Sequence, residues 1–225
     1  MAVVAVPAKA VPKVLEEAGR KGVKVAVVVS GGFAEAGNYE LEAEAVRAAG
    51  EHGMRILGPN CVGVYNAEVG LDTMFLPEEK AARPAGGPIA FISQSGAVMT
   101  AVLDWAAAEG VGIGLAVNVG NRADIDEGEI LELLRGLDYV RVAVCATAPR
   151  RAGGPGRGSP GSSNPGCRIH ELFRPSQAQS DRTHVVSFEK AERPVGNIGK
   201  RGCLLRIFSV SSLCLGVPFL AFSAR

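Results

Sequence analysis

Residues 90–98 read AFISQSGAV. An apolar run stops at two serines flanking a glutamine, turns on a glycine and opens a helical pattern. A strand that ends on small hydroxyl residues at the start of a helix aims unpaired backbone N–H groups and a positive dipole end at one point. Such a point suits an anion. The plain alternative is an N-cap, with Ser95 bonding the first helical N–H groups.

The pattern repeats on both sides. Downstream, Gly96 to Glu109 carries Val98, Val102, Leu103 and Trp105 at helical spacing, IGLAVNV reads as a strand, Glu127 to Leu137 as a helix and YVRVAV as a strand. Upstream, AVVAV is followed by VPKVLEEAGRKG, with Pro12 in a first helical turn and a stop at Gly19 or Gly22. Then come the strand KVAVVV, a helix over Tyr39 to Gly50 and the short strand MRILG. Continuous apolar strands joined by helices predict an α/β fold with parallel sheets covered on both faces. The Gly-, Asn- and Pro-containing stretch from Pro59 to Pro88 marks a boundary. Residues 1–80 are expected to form a partial Rossmann-like unit and residues 86–145 a partial flavodoxin-like unit.

Past residue 145 the alternation fails. Up to residue 150 there are 13 Lys+Arg against 19 Asp+Glu; beyond it, 11 against 4. RAGGPGRGSPGSSNP, residues 151–165, has 11 Gly, Pro or Ser, too few apolar groups to offset chain entropy. Residues 146–225 are expected to be an irregular tail, disordered or read out of frame. The apolar segment 203–222 is interrupted by Arg206, Gly216 and Pro218 and makes a poor membrane span. Cys61, Cys145, Cys167, Cys203 and Cys214 show no metal-ligand spacing and point to free thiols in a reducing cytoplasm.

In an open α/β sheet, ligands lie beyond the carboxyl ends of the strands. VPAK (6–9) and SGGF (30–33) both close strands there; Gly31 and Gly32 permit close backbone approach, and Lys9 offers a point charge for phosphate. Either turn is also readable as a tight βα connection. LGPNCVG (57–63) makes a rigid turn with Asn60 and Cys61 at its tip, where Cys61 reads as a buried thiol rather than a nucleophile. Asn121 and Asp124 of GNRADID are expected on the same edge as Ser93 and Ser95. His52 reads as a solvated residue at a helix end.

Taken in order, AVPAKAVPKVLEE, GVKVAVVVSGGF, GMRILGPNCVGV, IAFISQSGAVMTAVLDWA and GNRADID resemble the α region of the NDP-forming acyl-CoA synthetases. The ADP-forming acetate:CoA ligases are the nearer likeness and succinyl-CoA synthetase α a more distant one. The resemblance covers about residues 2–144. It implies a CoA-binding domain joined to a flavodoxin-like domain, and acid–thiol ligation through an acyl phosphate and a phosphohistidine. It implies CoA contacts at Val6, Pro7, Lys9, Ser30, Gly31, Gly32 and Phe33, and places Asn60 and Cys61 where thioester and phosphate meet. Ser93, Gln94, Ser95, Gly96 and Ala97 would hold the phosphoryl group. ATP or ADP with Mg, and an ATP-grasp partner, belong to the complete family enzyme.

The family's earlier Gly-rich CoA turn is not recognisable here, and neither His170 in CRIHELF nor His184 in DRTHVV resembles the family's histidine loop. A truncated fragment is therefore expected, with no catalytic residue or metal assigned. A noncatalytic CoA-binding or regulatory module is the second reading. A dehydrogenase-type Rossmann protein finds no GxGxxG with a downstream acidic residue to support it. A carboxylic acid or acyl-CoA is the implied substrate; self-association through the strand at Ala2 to Val6 is expected, and no nucleic-acid or membrane partner is.

Overall fold

The computed structural model describes residues 1–147 and the backbone of one strand at 184–188. In the first unit, β1 (Ala2–Val4), α1 (Val11–Arg20), β2 (Val25–Val28), α2 (Tyr39–Gly50) and β3 (Arg55–Leu57) alternate, and the strands lie parallel in the order β1-β2-β3. Helix α1 ends where Gly22 takes a left-handed backbone (φ 81°), with Val23 N–H donating to Ala18 O. Val11 and Leu15 of α1 and Ala45 and Ala49 of α2 bury against Ala26 and Val28 of β2, so both helices cover one face.

The second unit is built on β6 (Ile89–Ser93), α3 (Gly96–Ala108), β7 (Ile113–Asn118), α4 (Glu127–Leu134) and β8 (Val142–Ala146). The three strands are parallel, with β6 between β7 and β8. Alternation along β6 sends Ala90 and Ile92 to the side of α4, with its Ile130, Leu131 and Leu134. Phe91 goes to the side of α3, with its Met99, Leu103 and Ala106.

Between the units the structure adds two strands that the Pro59–Pro88 stretch did not announce. β4 (Val64–Asn66) and β5 (Leu71–Asp72) form an antiparallel hairpin, and β4 extends the second sheet by pairing antiparallel with β7. These strands are two or three residues long, too short for a readable period. The second sheet therefore runs β5-β4-β7-β6-β8-β9, where β9 is His184–Phe188, parallel to β8. That strand lies within the segment expected to be irregular. The remainder of the expected tail, with residues 151–165, His170 and segment 203–222, lies outside the described residues.

The far face of the first sheet is covered by the second unit. Val27, Leu57 and Cys61 share one core with Ile92, Val117, Val119 and Leu131. Among the described residues β1 is an edge strand, with Val3 48% exposed.

Candidate functional site at the joined strand ends

The carboxyl ends of β1, β2 and β3 are fastened together by side chains that the turns supply. Ser30 Oγ donates to Val6 O at 2.6 Å and accepts from Val6 N–H at 3.1 Å, binding the first turn to the second. A Cβ on Gly32 (φ 103°) would lie 3.4 Å from the Ala8 Cβ, so the two turns touch. Asn60 N–H donates to Ser30 O at 2.9 Å and holds Asn60 in a left-handed conformation (φ 57°) at the tip of the third turn. Asn60, Pro7, Lys9 and Gly31 are exposed on these joined turns. A Cβ on Gly31 would stand 3.3 Å from both Asn60 Oδ1 and Glu35 Oε1. Glycine at that position leaves room for the Asn60 and Glu35 side chains.

Glu35 is a site residue the sequence reading missed. Its carboxylate accepts from Gly32 N–H and Phe33 N–H and from Asn121 Nδ2, so it crosses from the SGGF turn to the second unit. Burial acts to raise its pKa, but the Asn121 amide and the backbone N–H groups outweigh it and hold the carboxyl below its ordinary value. Glu42, buried on α2, also accepts from Asn121 Nδ2, at 2.7 Å, and from Ala34 N–H. Burial, with the nearby Glu35 charge, pushes Glu42 upward. A helix register shared with Ala45 and Ala49 was the only signal in sequence that Glu42 faces inward.

The turn 58–63 is wired equally to the second unit. Val62 N–H donates to Asn118 Oδ1 at 2.7 Å, and Asn118 Nδ2 donates to Ser93 O at 2.8 Å. Asn118 is fully buried and was hidden inside the strand run IGLAVNV. Gly96, the first residue of α3, faces Val62 so closely that a Cβ would sit 2.6 Å from Val62 Cγ2. The N-terminus of α3 and the Asn60 turn are thus neighbours.

At that N-terminus Ser95 caps α3, its Oγ accepting from Val98 N–H at 3.4 Å. Gln94 N–H donates to Ala146 O. The Ser93 hydroxyl is buried and spans the turn, donating to Ser95 O and accepting from Ser95 N–H. Ser93 therefore shapes the turn, Ser95 and Ala97 are the exposed members of SQSGA, and Gln94 and Gly96 are half-buried.

Three other side chains of these turns are turned inward. Phe33 is fully buried among Val11, Leu15 and Val28, because its turn folds back over the first core. Cys61 is 2% exposed, and its Sγ lies 3.3 Å from Val28 O as donor; burial pushes the thiol from its ordinary 9.0 up to about 12. Asp124 does not join the serines. It accepts from Ile56 N–H at 2.8 Å and from Arg55 Nε at 2.9 Å, closing the open edge of β3. That pairing with Asp124, against some burial, raises the Arg55 pKa. Ala123 N–H to Gly58 O, Asn121 N–H to Pro59 O and Ile125 N–H to Ile56 O complete the seam. GNRADID is the clasp between the units. His52, half-buried, packs against Gly19 of α1 rather than standing in solvent.

The buried thiol gives a direct check. Cys61 is expected to resist iodoacetamide at pH 8 in the folded chain and to react once urea unfolds it. Because the folded pKa is the higher one, its contribution to stability declines as pH rises from about 9 toward about 12. Rapid alkylation of native Cys61, identified by peptide mapping, would contradict its placement.

Residues 1–67 match the CoA binding domain family, and residues 86–148 match the succinyl-CoA ligase like flavodoxin domain family. The chain is 48% identical over 132 residues to the ADP-forming acetate–CoA ligase of Methanocaldococcus jannaschii, a match covering 59% of this chain and 18% of that protein. It is 46% identical over 137 residues to the α subunit of ADP-forming acetate–CoA ligase I of Pyrococcus furiosus, covering 60% and 29%. Over residues 1–148 the chain is similar to part of the ADP-forming acetate–CoA ligases. The chain spans less than a third of the length of these curated relatives. Among solved structures, the dinucleotide-forming acetyl-coenzyme A synthetase 1 of Ca. Korarchaeum cryptofilum superposes with a TM-score of 0.62 at 39% identity. That match covers 67% of this chain and 32% of that one, and the synthetase is also known in complex with phosphate and ADP. The two matched domains are joined here by the Asn60 turn and the Asp124 clasp.

Among the described residues no helix is long and apolar enough to cross a membrane, and no group of three or more His, Cys, Asp or Glu side chains is placed to hold a metal.

Proposed function

We propose that the chain supplies the CoA-binding and phosphoryl-holding part of an ADP-forming acyl-CoA synthetase acting on acetate or a similar carboxylic acid. The observation that carries this reading is the Asn60 turn, bonded on one side to the Ser30 turn and abutting on the other the N-terminus of α3. A thiol ligand seated across Val6, Pro7, Lys9, Ser30, Gly31 and Gly32 would end near Asn60. A phosphoryl group at Ser95, Gly96 and Ala97 would meet the helix dipole there. Lys9 provides the exposed ammonium for a CoA phosphate, and the open face of Gly31 fits an adjacent chain of atoms. Phe33, Cys61, Ser93 and Gln94 support these turns.

In this reading the acyl phosphate, the phosphohistidine and the Mg-bound nucleotide are handled in the complete enzyme together with an ATP-grasp domain or subunit, in the cytoplasm. Calorimetric titration tests the CoA site. Gly31→Ala is expected to weaken CoA binding about tenfold with only a small drop in the unfolding midpoint, since Gly31 needs no left-handed backbone and its Cβ would press at 3.3 Å on the Asn60 and Glu35 side chains alone. Equal binding by the variant would remove the site from this crevice.

The second reading, a noncatalytic CoA-binding module, shares that site and differs in phosphoryl transfer. His52 is the one histidine with a described side chain, and it packs on α1. Incubation of this chain with labelled ATP or acetyl phosphate is expected to leave no acid-labile phosphate on histidine, because relay needs the imidazole held at the helix terminus. Phosphohistidine at His170 or His184 that vanishes on Ser95→Asp would overturn that expectation.

We also infer self-association through β1, whose outer edge has no partner strand among the described residues and carries exposed Val3. Sedimentation velocity should show a concentration-dependent dimer, reduced by Val3→Lys. A monomer at all concentrations would exclude it.

A further inference from the structure

Asn121 is where the two units meet most closely through side chains. Its Nδ2 donates to Glu42 Oε2 at 2.7 Å and to Glu35 Oε2, while its Oδ1 accepts from Asn60 Nδ2 at 3.3 Å. A carboxamide has a donor end and an acceptor end of nearly the same shape, and its partners decide which way it faces. Ionised carboxylates only accept. Asn121 must therefore turn its NH2 to Glu35 and Glu42 and its oxygen to Asn60. Asn60 must in turn give its own NH2 to Asn121, which leaves Asn60 Oδ1 toward Gly31 and the crevice.

We propose that Glu35 and Glu42, acting through Asn121, are positioning residues that fix Asn60 as a hydrogen-bond acceptor at the crevice, which therefore selects ligands carrying a hydrogen donor at that point. The identity of the donor rests on the CoA reading, in which it is the thiol or an amide N–H of the pantetheine arm. The polarity of the chain of amides does not depend on that reading. It follows from two acceptor-only groups at one end.

Glu35 keeps its place through Gly32 and Phe33 N–H, and Asn38 Nδ2 braces the same loop by donating to Gly32 O at 2.8 Å. Replacing both carboxylates by carboxamides preserves shape and removes the constraint, since each glutamine can present either end. Asn121→Ala cuts the relay at its middle. Either change frees Asn60 to expose its donor end about as readily as its acceptor end.

Two measurements on the full chain test this. Side-chain amide NMR of the native protein is expected to show one set of NH2 signals for Asn60. The Glu35→Gln/Glu42→Gln double variant, and independently Asn121→Ala, are expected to show two sets or exchange broadening with the unfolding midpoint largely kept. A single unchanged Asn60 set in either folded variant would overturn the proposal. If the double variant does not fold, Asn121→Ala decides the matter. Calorimetry with CoA should show about fivefold weaker binding to the variants, the scale of one neutral hydrogen bond. A loss seen with CoA and not with desulpho-CoA assigns the donor as the thiol; an equal loss with both assigns it as a pantetheine amide. Unchanged CoA affinity in the variants would overturn the selection of a donor. Failure of the native chain to bind CoA would retire the CoA reading and leave the amide signals to decide the orientation.

Discussion

Gly120→Val is expected to cost about 2–5 kcal/mol of stability. Gly120 has φ 51°, a left-handed conformation that a β-branched residue adopts at a cost of about 1–2 kcal/mol. A Cβ there would also lie 2.6 Å from Asn60 O and collide with Pro59 O. Both atoms are backbone of the turn that carries the candidate site, and neither can rotate away as a side chain would. Overpacking of this kind adds about 1–3 kcal/mol, a large part of the roughly 5–15 kcal/mol that holds a typical domain. Gly110 separates the two contributions. It has φ 67° and nothing within 4 Å of its virtual Cβ, so Gly110→Val carries the dihedral penalty alone. Urea unfolding of both variants, followed by circular dichroism, should show Gly120→Val the more damaging by at least about 1 kcal/mol. Equal midpoints would mean that the two units are not in contact at Gly120.

Asp124→Ala is expected to cost about 3 kcal/mol and to expose the edge of β3. The Asp124 side chain is only 8% exposed, whereas Arg55 is 46% exposed and its share of the ion pair is screened by water. The larger penalty is the Ile56 N–H, which loses its 2.8 Å acceptor while buried, at about 1–3 kcal/mol, with the charge-assisted bond to Arg55 adding the rest. Asp124→Asn keeps an acceptor oxygen in place and should recover more than half of the loss. Hydrogen exchange at Ile56 reads the seam directly. Faster exchange in Asp124→Ala and near-native protection in Asp124→Asn are expected, and native-like protection in the alanine variant would show that water or the backbone substitutes for the carboxylate. Since β3 leads into the Asn60 turn, weaker CoA binding should accompany the loss.

The long periodic elements were legible before any coordinates. Tyr39–Gly50, Ile89–Ser93 and the start of α3 at Gly96 fall where hydrophobic spacing and turn residues put them. The order of five motifs was sufficient to suggest the synthetase α region; the turns at Val6, Ser30 and Asn60 are bonded to one another, and Asn118 links the last of them to Ser93. Local pattern suffices for these because helix and strand periods are set by neighbours in the chain.

What the sequence by itself determined, then, is the alternation of elements and the turns that end them. Tertiary structure decided which way the side chains on those turns face. Phe33, Cys61 and Ser93 sit on the right turns but point into cores or across their own backbone. Asp124 closes the edge of β3 instead of joining Ser93 and Ser95. Glu35, Glu42 and Asn118, unremarkable in their local sequence, bond groups 25 to 86 residues away. The reason is physical: a hydrogen bond is fixed by the position of both partners, and no local period records the position of a partner on another element. The shared core of Val27, Leu57 and Cys61 with β6 and β7 brings those partners together, and only then do the carboxylates acquire an amide to orient.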